Sequence, residues 1–285
     1  MPPIIVTQSF DAPLEKVWNA LSDEAALKKW YFPVEAYDFK IGKTFTFYES
    51  SDSHHYFHRC TFVNIIPNQC IEYTWEHPRQ SKGSSVVKWE FAAEGDKTTI
   101  TLTHTGTENF SDGGAAFAPA NYEMGWNAIV KGMLRNYLYG IKKLEFNVDI
   151  HAPAAKVWVL MWDKQGYSDW TAPFCAGSYY EGKIAQGNRV HLLSPSGEGM
   201  YSDIFFYKEN EVLVFKHIGL MKDKKKVPLD PETEKWTGCF ETYRLTEKNG
   251  ITTLKAEVDT LAQYVEYMEN SFPAALTELK RLSEQ

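Results

Sequence analysis

The chain contains two copies of one sequence pattern, and this duplication limits the folds that it can adopt. The segment DAPLEKVW at residues 11–18 returns as HAPAAKVW at residues 151–158. Trp30 returns as Trp170, again 140 residues later. Solenoid repeats are only about 20–50 residues long, so this spacing indicates a duplicated domain. We therefore predict two domains of one fold, residues 1–140 and residues 141–285.

The hydrophobic pattern predicts the same order of elements in each copy. A short apolar strand and two small helices come first, and runs that alternate apolar and polar residues follow, as in half-buried β-strands. The turn pairs Gly95-Asp96 and Asn249-Gly250 mark hairpins between such runs. A long amphipathic helix closes each copy, at about 120–139 and 261–281, the second with a break or bend near Pro273. The predicted fold class is α+β, with antiparallel sheets.

Composition excludes several classes of protein. Thirty basic and 37 acidic residues give a net charge of −7, which opposes nucleic-acid binding. No apolar run approaches the ~20 residues of a membrane helix, and the first residues do not form a signal peptide, so we expect a soluble cytoplasmic protein. The cysteines form no CxxC or Cys/His array, so we expect reduced thiols rather than disulfides or a zinc site; they are Cys60, Cys70, Cys175 and Cys239.

Several motifs carry a family resemblance. In the first copy they are FDAP at 10–13 with Val17-Trp18, the tryptophan at 30, TITLTHTG at 99–106, and Gly125-Trp126. With these motifs the first copy resembles the activator-of-Hsp90-ATPase-homologue branch of the START/Bet v 1 (SRPBCC) superfamily. The second copy is similar to the superfamily more distantly, because SFP at 271–273 stands in place of the Gly-Trp pair.

The resemblance implies a helix-grip architecture. In such a domain a curved antiparallel sheet wraps around the long C-terminal helix, two short helices follow the first strand, and an apolar pocket remains between sheet and helix. Members of the superfamily bind lipids, polyketides or hormones, assist Hsp90, or in a minority catalyse reactions. We therefore expect two tandem helix-grip domains.

Residue types alone also favour a pocket in the first domain. Aromatic residues make up 15% of the chain, and many have the inward parity of their strands. They either fill the core or line a cavity, and we predict a cavity between sheet and last helix. His104 either lines this cavity or is a hydrogen-bonded residue of the core. The predicted ligand-binding residues are Phe45, Phe47, His58, Phe62, Tyr73, Trp75, Trp89, Phe91, His104, Tyr122, Trp126, Ile129 and Met133.

A metal site and a catalytic site both lack a sequence signature. On a strand, His54 and His58 share a face but stand ~13 Å apart, and His55 has the opposite parity, so we expect no metal ion. GxSxG, P-loop and HExxH motifs are absent, and so are paired carboxylates on the predicted cavity faces. We expect no cofactor and no enzymatic activity.

The leading hypothesis is that the first domain binds a small hydrophobic molecule between its sheet and its last helix. The alternative is a protein-interaction role that resembles that of Hsp90 ATPase activators. A third reading is a cyclase or hydrolase that uses His58 or His104 as a general base. Neither the ligand nor the oligomeric state follows from the sequence, and a cavity in the second domain stays an open question.

Overall fold

The chain folds into two compact units. The computed structural model describes residues 2–51 and 54–285, apart from the side chains of residues 50, 51 and 54. One unit ends at Leu138, and the other spans Tyr139–Gln285. Each unit is an antiparallel sheet packed against a long last helix, with two short helices after the first strand. The predicted α+β class with tandem helix-grip domains is confirmed.

The first unit has a six-stranded sheet in the order β1-β6-β5-β4-β3-β2. Its strands and first helices are β1 (Ile4–Phe10), α1 (Leu14–Ser22), α2 (Glu24–Leu27), β2 (Thr44–Ser51), β3 (His54–Ile66), β4 (Cys70–Glu76), β5 (Ser84–Glu94) and β6 (Lys97–Thr105). Two 3₁₀ turns, Thr107–Gly113 and Ala115–Phe117, lead into the last helix. That helix consists of α3 (Pro119–Ala128), a π-helical segment (Ile129–Leu134) and α4 (Arg135–Tyr139).

The second unit repeats this plan with a larger sheet. Its main strand order is β7-β14-β13-β11-β10-β9-β8, and β12 pairs with β11. The elements are β7 (Ile141–Ile150), α5 (Ala154–Trp162), α6 (Lys164–Trp170), β8 (Tyr179–Glu181), β9 (Arg189–Leu193), β10 (Gly199–Lys208), β11 (Val212–Lys222), β12 (Lys225–Lys226), α7 (Pro231–Trp236), β13 (Phe240–Lys248), β14 (Ile251–Leu261), a 3₁₀ turn (Ala262–Tyr264) and α8 (Val265–Ser283).

The duplication is visible in individual hydrogen bonds. The Thr98 hydroxyl donates to the Ala12 carbonyl at 2.8 Å, and the Thr252 hydroxyl donates to the Ala152 carbonyl at 2.7 Å. In both units this bond ties the loop before the first helix to the last strand of the sheet. The indole N–H of Trp30 and that of Trp170 also make equivalent bonds, to backbone carbonyls of the first helix in their units. Repeated sequence motifs therefore make repeated buried contacts.

The predicted hairpin turns have the backbone that their residues favour. Gly95 has a φ of 59°, while Asn249 and Gly250 have φ values of 53° and 75°. Such left-handed conformations suit Gly and Asn, and two consecutive ones match the right-handed twist of the flanking strands. Each turn joins neighbouring antiparallel strands, β5 to β6 and β13 to β14.

The second unit's last helix differs from its prediction. Residue 261 is the end of β14, and α8 begins only at Val265. The helix also continues through Pro273, so the expected break is wrong. Buried Phe272, Leu276 and Leu279 attach α8 to the core on both sides of the proline, and this packing outweighs one missing backbone hydrogen bond. Within the described residues, no helix is long and apolar enough to span a bilayer.

Candidate ligand-binding cavity

A cavity of about 490 Å³ lies in the first unit between the sheet and the last helix. This volume falls within the usual range for small-molecule sites. Strands β2 to β4 and the residue after β4 contribute Phe47, Glu49, Tyr56, His58, Trp75 and His77 to its wall. The last helix contributes Tyr122, Gly125, Trp126, Ile129 and Met133. The cavity wall is therefore mostly aromatic, with a few polar groups.

The structure brings seven of the predicted ligand-binding residues together at this cavity. They are Phe47, His58, Trp75, Tyr122, Trp126, Ile129 and Met133. Period-two alternation in the strands and helical spacing after Pro119 explain why these side chains face one another. Their role in ligand binding stays a prediction.

The other six predicted residues face inward but do not line the cavity. The short helices and the segment after them cover the end of the sheet where four of these residues lie. There Phe45, Phe62, Tyr73 and Trp89 surround a void of only about 20 Å³. Phe91 packs against Trp18, with 5.2 Å between ring centroids. His104 lies in the core behind Trp126. The alternation along each strand predicted that these side chains face inward. Their position along the strand determines which other elements they contact.

His58 is the most unusual polar residue of the cavity wall. It is only 3% exposed, and its ring stacks on Phe47 with 4.4 Å between centroids. Neither ring nitrogen has a hydrogen-bond partner among the described residues. Burial, together with the nearby His77, holds the pKa of His58 well below its usual value. His58 is therefore a neutral imidazole with a free donor and a free acceptor.

Glu49 and His77 line the cavity but escaped the sequence prediction. The Oε2 atom of Glu49 lies 3.7 Å from Nε2 of His58, and burial raises the pKa of this carboxyl group. Glu49 continues the alternation of Phe45 and Phe47, and His77 continues that of Tyr73 and Trp75. Extending each alternation by one step would have found both residues.

His77 organises one end of the cavity. The indole N–H of Trp75 donates to Nε2 of His77 at 3.0 Å, and the Tyr122 hydroxyl lies 2.8 Å from the same nitrogen. Burial lowers the pKa of His77 to about 4, although the backbone of Phe57 opposes this effect. A neutral ring that accepts through Nε2 fits both findings. His77 thereby links the sheet to the last helix.

His104 acts as a core residue that holds Trp126 in place. The indole N–H of Trp126 donates to Nδ1 of His104 at 2.9 Å. The other ring nitrogen, Nε2, lies 2.8 Å from the Ser85 hydroxyl, which in turn donates to the Trp75 carbonyl at 3.2 Å. Since Nδ1 must accept, the proton of the neutral ring sits on Nε2 and points to Ser85. Burial lowers the pKa of His104 to about 3.

The histidines of β3 have different positions. His55 is exposed, and His58 faces the cavity. The side chain of His54 lies outside the described residues. In the part of the chain that the structure describes, no group of three or more His, Cys, Asp or Glu side chains could hold a metal ion.

In the second unit the inward aromatic residues form a packed core. Tyr243 is 2% exposed, and its ring contacts those of Trp162, Trp170 and Phe215. Of the other polar residues with inward strand parity, His217 and Tyr201 are buried and His191 is half-buried. Trp236 and Tyr267, expected near the mouth of a second cavity, are half-buried and exposed. The hydroxyl of Ser202 lies 2.8 Å from Nδ1 of His217, whose Nε2 lies 3.2 Å from Glu241.

Comparison with known proteins supports the family resemblance that the sequence motifs of the first unit indicated. Residues 11–138 match the family model described as "Activator of Hsp90 ATPase homolog 1-like protein". The first unit is similar to this family. The match covers nearly all of the unit that holds the cavity, and the tandem START/Bet v 1-like organisation predicted from the repeated motifs is confirmed. No curated protein matches the sequence of the chain.

Three solved structures illustrate what the chain is similar to. DynU16, from the dynemicin biosynthetic locus, is 16% identical, with 99% of this chain and 97% of that chain covered and a TM-score of 0.39. The di-domain ARO/CYC protein BexL, from the BE-7585A pathway, is 13% identical, with 100% and 99% covered and a TM-score of 0.42. The Aha1 dimer from Colwellia psychrerythraea is 15% identical, with 50% and 96% covered and a TM-score of 0.40.

Proposed function

We propose that the first unit binds a small hydrophobic molecule in the cavity between its sheet and its last helix. The observation that carries this proposal is a 490 Å³ space that is lined by aromatic rings and by the buried His58, which has no hydrogen-bond partner among the described residues. Enclosing 200–300 Å² of apolar ligand surface contributes roughly 5–7 kcal/mol before ordering costs. Binding of this kind corresponds to micromolar or weaker affinity unless polar contacts add to it.

Binding without turnover is the favoured activity. Both ring nitrogens of His104 are engaged in the core, so this residue does not act as a general base. His58 reaches the cavity, but the 3.7 Å between its Nε2 and Glu49 Oε2 exceeds hydrogen-bond range. Neither histidine therefore forms the ordered acid–base pair that a cyclase or hydrolase would need.

Filling the cavity tests this function directly. Gly125 lines the cavity on the last helix, and a Cβ atom built there meets nothing within 4 Å. Gly125→Leu therefore places a side chain in the ligand space and also favours the helix. We expect at least a tenfold loss of affinity for an apolar fluorescent dye, measured by titration.

Gly132→Leu is the matched control for that experiment. Gly132 lies in the same helix, its Cβ position is equally open, and it does not line the cavity. Dye affinity should stay within about twofold of the parent protein. Equal losses in both variants would contradict binding in the cavity, and mass spectrometry of gently purified protein would identify a bound small molecule.

A contact with Hsp90 is the second candidate function, because the matching family is described by activation of that ATPase. We also propose a cytoplasmic location, which the reduced thiols of Cys60, Cys70 and Cys175 favour. Retention of purified Hsp90 on the immobilised full chain tests the contact. Absence of retention, combined with dye binding that Gly125→Leu abolishes, would leave ligand binding as the function.

A further inference from the structure

The charge of the cavity wall distinguishes between classes of ligand. Among the described lining residues, Glu49 is the only one with a formal charge, and no lysine or arginine is present. Partial burial raises the pKa of the Glu49 carboxyl group, although 55% of this side chain stays exposed to solvent. A second carboxylate in this space would meet repulsion from Glu49 without any compensating cation.

His58 adds a requirement for a particular polar group. Its ring is neutral and buried, and in the part of the chain that the structure describes its donor and its acceptor are both unpaired. Buried polar groups usually have hydrogen-bond partners. A ligand that supplies the missing partner therefore gains more binding free energy here than it would at a solvated site. A hydroxyl group can accept from a ring N–H and donate at the same time.

The position of Glu49 allows it to bind the same ligand hydroxyl group as His58. Its Oε2 atom lies 3.7 Å from Nε2 of His58, which is too far for a direct hydrogen bond and leaves both atoms available. When the neutral ring carries its proton on Nε2, a ligand hydroxyl beside this pair accepts from that N–H and donates to the Glu49 carboxyl oxygen. An ammonium group has only donors and would leave the N–H of His58 unpaired.

We propose that the cavity selects uncharged ring compounds that carry a hydroxyl group, which His58 and Glu49 recognise through hydrogen bonds. Glu49 also excludes ring compounds that carry a carboxylate. This inference rests on the proposed binding function. The aromatic faces of Phe47, Trp75 and Trp126 supply the surface for the rings, and the pair of polar residues supplies the specificity.

Four probes with one ring system test the proposal: 2-naphthol, naphthalene, 2-naphthoate and 2-naphthylmethylamine. Binding to the full chain at pH 7 is followed by quenching of tryptophan fluorescence. We expect 2-naphthol to bind about tenfold more tightly than naphthalene, because one or two buried hydrogen bonds contribute enough free energy for this difference in affinity. We expect 2-naphthoate to bind at least about tenfold more weakly than 2-naphthol.

Glu49→Gln separates charge from hydrogen bonding. The variant keeps an acceptor and removes the negative charge, and the 55% exposure of this side chain makes a loss of folding unexpected. Affinity for 2-naphthoate should rise about tenfold, while affinity for 2-naphthol changes less than about threefold. Glu123→Gln is the matched control, because Glu123 is exposed on α3 and does not line the cavity.

The outcomes distinguish this inference from the function on which it rests. If none of the four probes binds, the proposed binding function fails. If 2-naphthoate binds as tightly as 2-naphthol, or if Glu123→Gln raises 2-naphthoate affinity as much as Glu49→Gln does, the cavity binds ligands but Glu49 does not select them. Tighter binding of 2-naphthylmethylamine than of 2-naphthol would overturn the preference for a hydroxyl group.

Discussion

At the level of single residues, three buried histidines of the first unit share a neutral state but differ in their partners. His104 is bonded through both nitrogens, His77 accepts from Trp75, and His58 has no partner among the described residues. His104, which is bonded through both nitrogens, acts as a structural support, whereas the unpartnered ring of His58 faces the cavity. Hydrogen bonding, more than residue type or burial, therefore separates the core histidine from the candidate ligand contact.

The depressed pKa of His104 predicts that the first unit loses stability in acid. Its pKa is about 3 in the folded protein, whereas an unfolded histidine titrates near pH 6.5. Between these values only the unfolded state takes up the proton, so the free energy of unfolding falls as pH falls. The slope is about 1.4 kcal/mol per pH unit for each such histidine. Above pH 6.5 this contribution is constant.

Removing the imidazole tests this pH dependence. His104→Gln should be less stable at pH 7, because Trp126 loses its acceptor, but its stability should fall less steeply between pH 6 and pH 4. Urea unfolding across this pH range measures both effects. His55→Gln is the control, because His55 is exposed in the same unit. An unchanged slope in His104→Gln would show that this histidine is protonated in the folded state.

At the level of elements, each unit depends on a threonine that ties the loop before the first helix to the sheet. The hydroxyls of Thr98 and Thr252 are buried and donate to the carbonyls of Ala12 and Ala152. Thr98→Val and Thr252→Val keep the side-chain shape and leave a carbonyl unpaired. Each should cost about 1–3 kcal/mol of unfolding free energy, measured by urea denaturation.

The neighbouring Thr99 provides the control for the threonine pair. Its hydroxyl bonds to that of Ser9, and this bond is exposed to solvent. Because water can replace the partner, Thr99→Val should change stability by less than about 0.5 kcal/mol. A loss equal to that of Thr98→Val would show that the buried carbonyl of Ala12 is not the source of the effect.

At the level of the whole molecule, the duplication made the fold predictable. Repeated Pro and Trp positions indicated two domains of one fold, and Asn249-Gly250 and Gly95-Asp96 placed hairpins where the structure has them. The end of β14 and the start of α8 were not predictable from periodicity alone. Core packing carries that helix across Pro273, and local sequence does not encode such packing.

The candidate site was only partly predictable. Alternation identified Phe47, His58 and Trp75 as inward residues, but it also identified Phe45 and Tyr73, which meet a different part of the fold. Which element covers each part of a curved sheet depends on tertiary packing, so it cannot be derived from the parity of one strand. The hydrogen-bond partners that distinguish His58 from His104 also depend on tertiary packing, so the sequence alone does not predict them.

The π-helical segment Ile129–Leu134 gives the cavity wall a tolerance to changes in length. A π turn holds one residue more than the α turn that it replaces, and the flanking α-helical turns keep their orientation. Deleting the exposed Lys131 would convert this turn to regular winding without rotating Trp126 or Leu138 away from the sheet. Because Ile129 and Met133 of this segment line the cavity, we expect such a deletion to change the shape of the binding space while the flanking turns of the helix keep their contacts with the sheet.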